Sequence, residues 1–261
     1  MRVRVAAGRF LIRVGRFVQS LAVMVMRPGD IVAFNRSVYS SPASVAGWAE
    51  DSLVDAGLSA DEKALLDKVP ARGGELLLLG AGGGREAVTL AAMGFHVTGV
   101  DFVPELAARA EENASRRGRP VKVLVQDMCR LEVPWSFYDV AWLTSGAYSS
   151  VPSRRRRLEM LARVRRALKP GGYFLCQFLC SDEREFRSGW ELLRRGFSWL
   201  TLGNLSYMRG DRLAAGLEFA HFFAGLDEVR SEFEEGGFRV LDLSLPVSGP
   251  RGGAVLQRDE R

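Results

Sequence analysis

Cysteine and histidine are scarce in this chain: Cys129, Cys176 and Cys180, with His96 and His221, among 261 residues. So few thiols exclude a disulfide framework, and the spacing of the five residues offers no Cys/His zinc site, so no metal is expected. A reducing compartment, the cytoplasm, is the simplest reading. Long hydrophobic runs are missing too. The longest uninterrupted apolar stretch, Leu21 to Met26, falls far short of the roughly 20 residues that cross a bilayer. No internal repeat or low-complexity tract is visible. At 47% hydrophobic and 26% charged, the composition leaves out disordered, collagenous and coiled-coil classes. One large domain, or a core domain with a cap, remains.

The net charge of +5 is unevenly spread. Residues 1–30 hold six arginines (2, 4, 9, 13, 16 and 27) against Asp30 alone, which leaves 30 basic and 30 acidic residues in the rest. Such asymmetry suggests an anionic contact for the arm: a membrane face, nucleic acid or an acidic partner. Phe10, Leu11, Val14, Phe17, Val18, Leu21 and Val25 follow the spacing of one helical face, with Arg9, Arg13, Arg16 and Ser20 opposite. Pro28-Gly29 should stop this helix. Arg13 and Arg16 interrupt the run and no small-residue cleavage site follows, so it does not read as a secretory signal. Two readings stay open for residues 5–27. The apolar face closes over the core as a lid, or it enters an anionic membrane surface and makes the protein peripheral there. Two or three further helices should fill residues 30–69.

From Glu75 the texture becomes strand and helix in alternation. Strands are expected at 76–79, 96–100, 121–125, 138–143 and 173–178, with helices at about 85–93, 104–117 and 154–168. That order predicts an α/β fold, a doubly wound and mainly parallel sheet. Residues 181–225 form an aromatic-rich insertion without a clean period. A helix at 226–235 and strands at 238–245 and 254–258 close the chain. The organisation read from this is a helical arm or lid (1–69), a core (70–180), a substrate-cap insertion (181–225) and a C-terminal segment completing the sheet (226–261). Arg154 to Arg157 stand in the first turn of a helix, where positive charge opposes the helix dipole. They read as a solvated face or as a contact for an anion.

Ligands of such sheets sit at the carboxyl ends of the strands. There the sequence places Gly80-Ala81-Gly82-Gly83-Gly84, Asp101, Asp127 and Thr144-Ser145. Glycines let a ligand approach backbone N–H groups at a helix start, and an acid 21 residues after Gly80 suits ribose hydroxyls. Arg85 stands where a dinucleotide fingerprint wants its third glycine, a poor fit to NAD.

Glycines 80, 82 and 84 instead resemble the S-adenosylmethionine loop of the class I methyltransferases. Asp101-Phe102, Gln126-Asp127-Met128, Phe137-Tyr-Asp-Val140 and the Lys169-Pro-Gly-Gly172 turn resemble further motifs of that family, in its order. The resemblance covers residues 75–180 and implies a seven-stranded Rossmann-like sheet with S-adenosyl-L-methionine as cofactor. It also implies cofactor contacts from Gly80, Ala81, Gly82, Gly84, Asp101 (ribose), Phe102 (adenine face), Asp127 and Met128 (adenine edge) and Thr144. One position departs from the pattern. Leu78 stands where the family has an acid that helps hold the methionine amino group.

The expected activity is methyl transfer to an oxygen or nitrogen of a small or lipophilic acceptor. A non-catalytic nucleoside-binding protein of the same fold and an NAD-dependent oxidoreductase are the alternatives. His96 reads as structural. His221, within Phe219-Ala-His-Phe-Phe223, is the first candidate for a general base and Tyr148 the second. Thr144-Ser-Gly-Ala147 follows strand four in place of an Asn-Pro-Pro-Tyr-like tetrad, which argues against nucleic acid as substrate. The oligomeric state is not legible.

Overall fold

Leu76, Leu77, Leu78 and Leu79 are fully buried because β1 (Gly74–Leu79) lies in the middle of a sheet covered on both faces. The computed structural model describes residues 2–181, 191–214, 218–245 and 249–259. Its main sheet has seven strands in the order β3-β2-β1-β4-β5-β9-β8. These are β2 (Phe95–Asp101), β3 (Lys122–Val125), β4 (Tyr138–Leu143), β5 (Leu168–Leu179), β8 (Phe238–Ser244) and β9 (Arg251–Arg258). Only β9 runs against its neighbours. The strand order reverses between β1 and β4, so the crevice at their carboxyl ends is the expected ligand position.

Two apolar layers hold the sheet. One face packs Leu76, Leu78, Val97 and Trp142 against α6 (Arg85–Ala92) and α7 (Pro104–Arg116). The other packs Leu77, Leu79, Phe174 and Phe178 against α8 (Arg154–Ala167) and α10 (Leu226–Glu235). The Lys-Pro-Gly-Gly segment departs from expectation. It is a bulge inside β5, because Tyr138 pairs with Leu168 and Val140 with Tyr173. Gly171 (φ +75°) takes the backbone through the left-handed region there.

The N-terminal third holds more helices than the sequence suggests. After α1 (Arg2–Val25) come α2 (Pro28–Tyr39), α3 (Pro42–Trp48), α4 (Asp51–Asp55) and α5 (Ala60–Leu66). Pro28 both ends the arm and opens α2, where a missing N–H costs nothing. The described part of the insertion contains α9 (Glu191–Leu200) and a two-stranded sheet of β6 (Asp211–Leu213) with β7 (Phe219–His221).

The lid expected of residues 5–27 takes a different form. Phe10, Leu11, Val14, Val18 and Val25, all on the apolar stripe of α1, are exposed. Only the end of the helix docks, through Val23 and Met24 packed with Ile31, Tyr207 and Phe219. At about 100° per residue Val23 points away from the stripe, whereas Met24 lies at its margin beside Leu21, a stripe residue that packs on the same cluster. The roof over the sheet is instead built by α2, α3 and β7.

Candidate functional site

A cavity of about 330 Å³ opens at the carboxyl ends of β1, β2 and β4, within the range of small-molecule sites. Its floor is the loop from β1 to α6. Gly80 (φ +73°) and Gly82 (φ +52°) hold left-handed conformations that a side chain would strain. A Cβ on Gly80 would meet nothing within 4 Å, so this stretch of backbone lies open. Gly83 was not marked by the alternate-glycine spacing, yet it is the tightest point. A Cβ there would come within 2.0 Å of the Trp48 carbonyl oxygen. The end of α3 therefore rests on the loop, and Asn113 Nδ2 pins the junction by donating to the Gly83 carbonyl (2.8 Å).

Asp101 ends β2 with its carboxylate buried. One oxygen accepts from the Gly82 N–H (2.8 Å) and the other from the Val103 N–H (2.9 Å). Burial raises its pKa against the pull of these bonds. The acid thus shapes the loop from below while its remaining lone pairs face the cavity. Phe102, Gln126, Asp127, Met128 and Thr144 also line the wall. Asp127 Oδ1 caps a short turn by accepting from the Cys129 N–H (2.8 Å), and Oδ2 pairs with Arg156 (2.7 Å).

Gly80, Gly82, Asp101, Phe102, Asp127, Met128 and Thr144 are therefore brought together, as the sequence predicts. Ala81 and Gly84 are not in the wall. Ala81 packs into the core beneath. Gly84 (φ +98°) admits Ala110 of α7, whose backbone lies 3.0 Å from where its Cβ would be.

The two candidate bases are also elsewhere. The His221 ring is fully buried outside the cavity wall, with Nδ1 2.7 Å from Asp211 Oδ1 and Nε2 3.8 Å from Glu228. Burial disfavours its charged form, but the two carboxylates outweigh that and raise its pKa. Tyr148 is fully buried and donates to Glu232. The structure gives both residues places in a charge network under the roof, not positions facing a substrate. The aromatic run around His221 suggested a pocket, and Phe219 and Ala220 do line the cavity, but the imidazole is held in the core by Asp211.

The arginine run is solvated only in part, at Arg154 and Arg155, and each of its members is paired with a carboxylate. Arg154 pairs with Glu235, Arg155 with Glu159 (3.0 Å) and Arg156 with Asp127. Arg157 is fully buried, bidentate on Glu232 at 2.6 and 3.0 Å.

Sequence reasoning assigns a lid to residues 1–69 and a cap to 181–225 but names none of the residues that form the roof. Asn35 and Tyr39 of α2, Trp48 of α3, and Glu218 beside β7 line the cavity from above. Asn35 Oδ1 accepts from the Phe219 N–H (2.8 Å) and Tyr39 donates to Glu218, so two distant segments are tied across it. Glu86 was missed as well. It is buried in the wall, accepting from Thr144 Oγ1 (2.9 Å) and from Arg85 (2.5 Å). The available signal was a carboxylate on the inward side of an otherwise apolar α6.

Residues 76–172 match the family model described as a methyltransferase domain. A Bacillus subtilis protein that carries a methyltransferase name, YqeM, is 29% identical over 102 residues, which are 39% of this chain and 41% of that protein. The chain thus spans about two fifths of the length of the curated relative it matches. Among solved structures, an S-adenosylmethionine-dependent methyltransferase of Methanosarcina mazei has a TM-score of 0.60 at 21% identity, over 78% of this chain and all of that one. A Burkholderia thailandensis 1,6-didemethyltoxoflavin-N1-methyltransferase, with its acceptor and S-adenosylhomocysteine bound, has a TM-score of 0.60 at 21% identity over 90% of this chain and 92% of its own. At such identities the structural likeness is one of fold. The family model is seated on the strands that build the cavity, so residues 76–172 form a methyltransferase domain, and the sheet around them has the fold of the S-adenosylmethionine-dependent methyltransferases.

Proposed function

We propose that this chain moves a methyl group from S-adenosylmethionine to an oxygen or nitrogen of a small or lipophilic acceptor, by in-line displacement. The observation that carries this reading is the single cavity in which the open glycine backbone, Asp101 and the Phe102/Met128 surfaces meet. These residues fit the cofactor: backbone N–H groups at a helix start, a buried carboxylate for ribose hydroxyls and an apolar slot for a purine. When bound, it supplies an electrophilic methyl carbon with a built-in leaving group. The protein's own part is to hold the reactants in line and exclude water. The roof residues Trp48, Tyr39 and Phe219 and the wall residue Leu179 present an apolar face suited to a lipophilic acceptor. Calorimetry should show binding of S-adenosylmethionine and S-adenosylhomocysteine but not of NAD. NAD binding without the sulfur nucleosides overturns the reading, and binding without turnover on a broad acceptor panel favours a non-catalytic role.

Glu86 takes over the part that Leu78 lacks. Leu78 is packed in the core beneath α6 and faces no ligand. Arg85 is the one cation in a cluster with two buried carboxylates, bidentate on Glu62 at 2.8 and 2.9 Å and touching Glu86. The cluster carries a net negative charge toward the cavity, and burial raises the Glu86 pKa accordingly. An ammonium arriving from the cavity side would balance it. Glu86→Gln should weaken S-adenosylhomocysteine binding at least tenfold, as expected for losing one charged hydrogen bond worth about 1.5–3 kcal/mol. Binding of 5′-methylthioadenosine, which has no amino group, should hold. Equal losses for both ligands, or none for either, would remove Glu86 from this role.

A further inference from the structure

The outward face of α1 has no function in the cavity. It carries Phe10, Leu11, Val14 and Val18 exposed to between 41% and 67%. An isolated amphipathic helix spends its apolar stripe on a core, whereas this one turns the stripe outward for most of its length. α9 lies against α1. Its end and the following turn add Trp199, Leu200, Leu202 and Leu205, each more than 60% exposed. A second group of exposed, bulky apolar side chains therefore stands beside the arm. The attachment beneath is firm. Asn204 donates through its backbone N–H to Met24 O (2.7 Å) and through Nδ2 to Val23 O (3.1 Å), and a Cβ on Gly203 would lie 2.2 Å from Met24 O. The helix is thus held at its C-terminal end with its apolar side outward.

Charge selects the occupant. Residues 1–29 contain six arginines and no acidic residue, and Arg4 and Arg9 are exposed on α1. Bulky apolar side chains, a tryptophan and one-signed positive charge on a helix match an anionic lipid interface. No helix among the described residues is long and apolar enough to cross a membrane, so the helix would lie in the interface plane. We propose that α1, together with Trp199, Leu200, Leu202 and Leu205, docks the protein on an anionic lipid surface. The cavity roof, through Phe219 and the Val23/Met24 contact, is joined to that docking face.

The test is co-sedimentation of the full chain with phosphatidylcholine vesicles, with and without phosphatidylglycerol. The expected result is binding to the anionic vesicles only, weakened at least tenfold between low salt and about 0.5 M salt as the charges are screened. Leu11→Asp with Val18→Asp changes two exposed side chains, so folding should be retained and vesicle binding lost. Quenching of tryptophan fluorescence by brominated lipid should fall in Trp199→Phe. The proposal is overturned if the full chain ignores anionic vesicles at low salt. It is also overturned if the double variant binds as well as the parent, or if lipid-free protein forms an oligomer that the double variant disperses, which would make the face an interface between copies. None of these readouts depends on cofactor binding or turnover, so they stand apart from the proposed activity.

Discussion

Glu232→Ala is expected to destabilise the fold by about 3–5 kcal/mol, the range found when one partner of a buried ion pair is removed. Glu232 is fully enclosed and accepts from Arg157 on both oxygens and from the Tyr148 hydroxyl. Without it, a fully buried guanidinium keeps a long contact to the Val151 carbonyl (3.4 Å), one to Met208 Sδ (3.6 Å) and the ring faces of Phe223 and Tyr148, 5.3 and 6.0 Å from their centres. The Tyr148 hydroxyl would lose its acceptor at the same time. Chemical denaturation would read the change as a lower midpoint with an unchanged slope. A loss below about 1 kcal/mol would mean that water or Glu235 reaches Arg157 and that the network is not as closed as described. Glu232→Gln, which keeps an acceptor but not the charge, should fall between the two.

The second large effect is on the cofactor. Asp101→Ala should lower S-adenosylhomocysteine affinity at least tenfold, since each hydrogen bond to a charged acceptor contributes about 1.5–3 kcal/mol. The structure adds a second consequence that a ribose contact alone does not give. The same carboxylate holds the Gly82 and Val103 N–H groups, so the alanine variant also frees the loop that forms the cavity floor. Affinity and thermal stability should therefore fall together. A folded variant with unchanged affinity would reduce Asp101 to a brace for its own loop.

The sheet was legible because its signals are local. Buried leucines bounded by glycine mark β1, and Pro104 at a first turn marks α7. The cavity floor was legible for the same reason, since Gly80, Gly82, Asp101 and Asp127 each stand at the end of a strand that the pattern locates. The roof was legible only as two segments, a lid and a cap. Asn35 and Phe219 are joined by a hydrogen bond between segments far apart in sequence, and no local pattern pairs them. His221 misled for a related reason. A histidine among aromatics reads as a pocket residue, and only the buried partner Asp211, on the neighbouring strand β6, holds it inward. The arm misled in the opposite sense. Its periodicity described the helix well but says nothing about which face meets protein, and here the core takes Val23 and Met24 at the far end.

The roof has a consequence for the order in which the molecule becomes competent. Its two halves come from the beginning and the last quarter of the chain, joined through Asn35 with Phe219 and Tyr39 with Glu218. The floor, from Gly80 to Asp127, is complete much earlier in synthesis. A chain growing from the ribosome therefore carries a nucleoside-shaped floor long before anything can cover it. Closure of so non-local a contact comes late, since its loop entropy must be met before the contact gives anything back. A ligand seated between floor and roof would therefore touch segments that lie 184 residues apart in the chain.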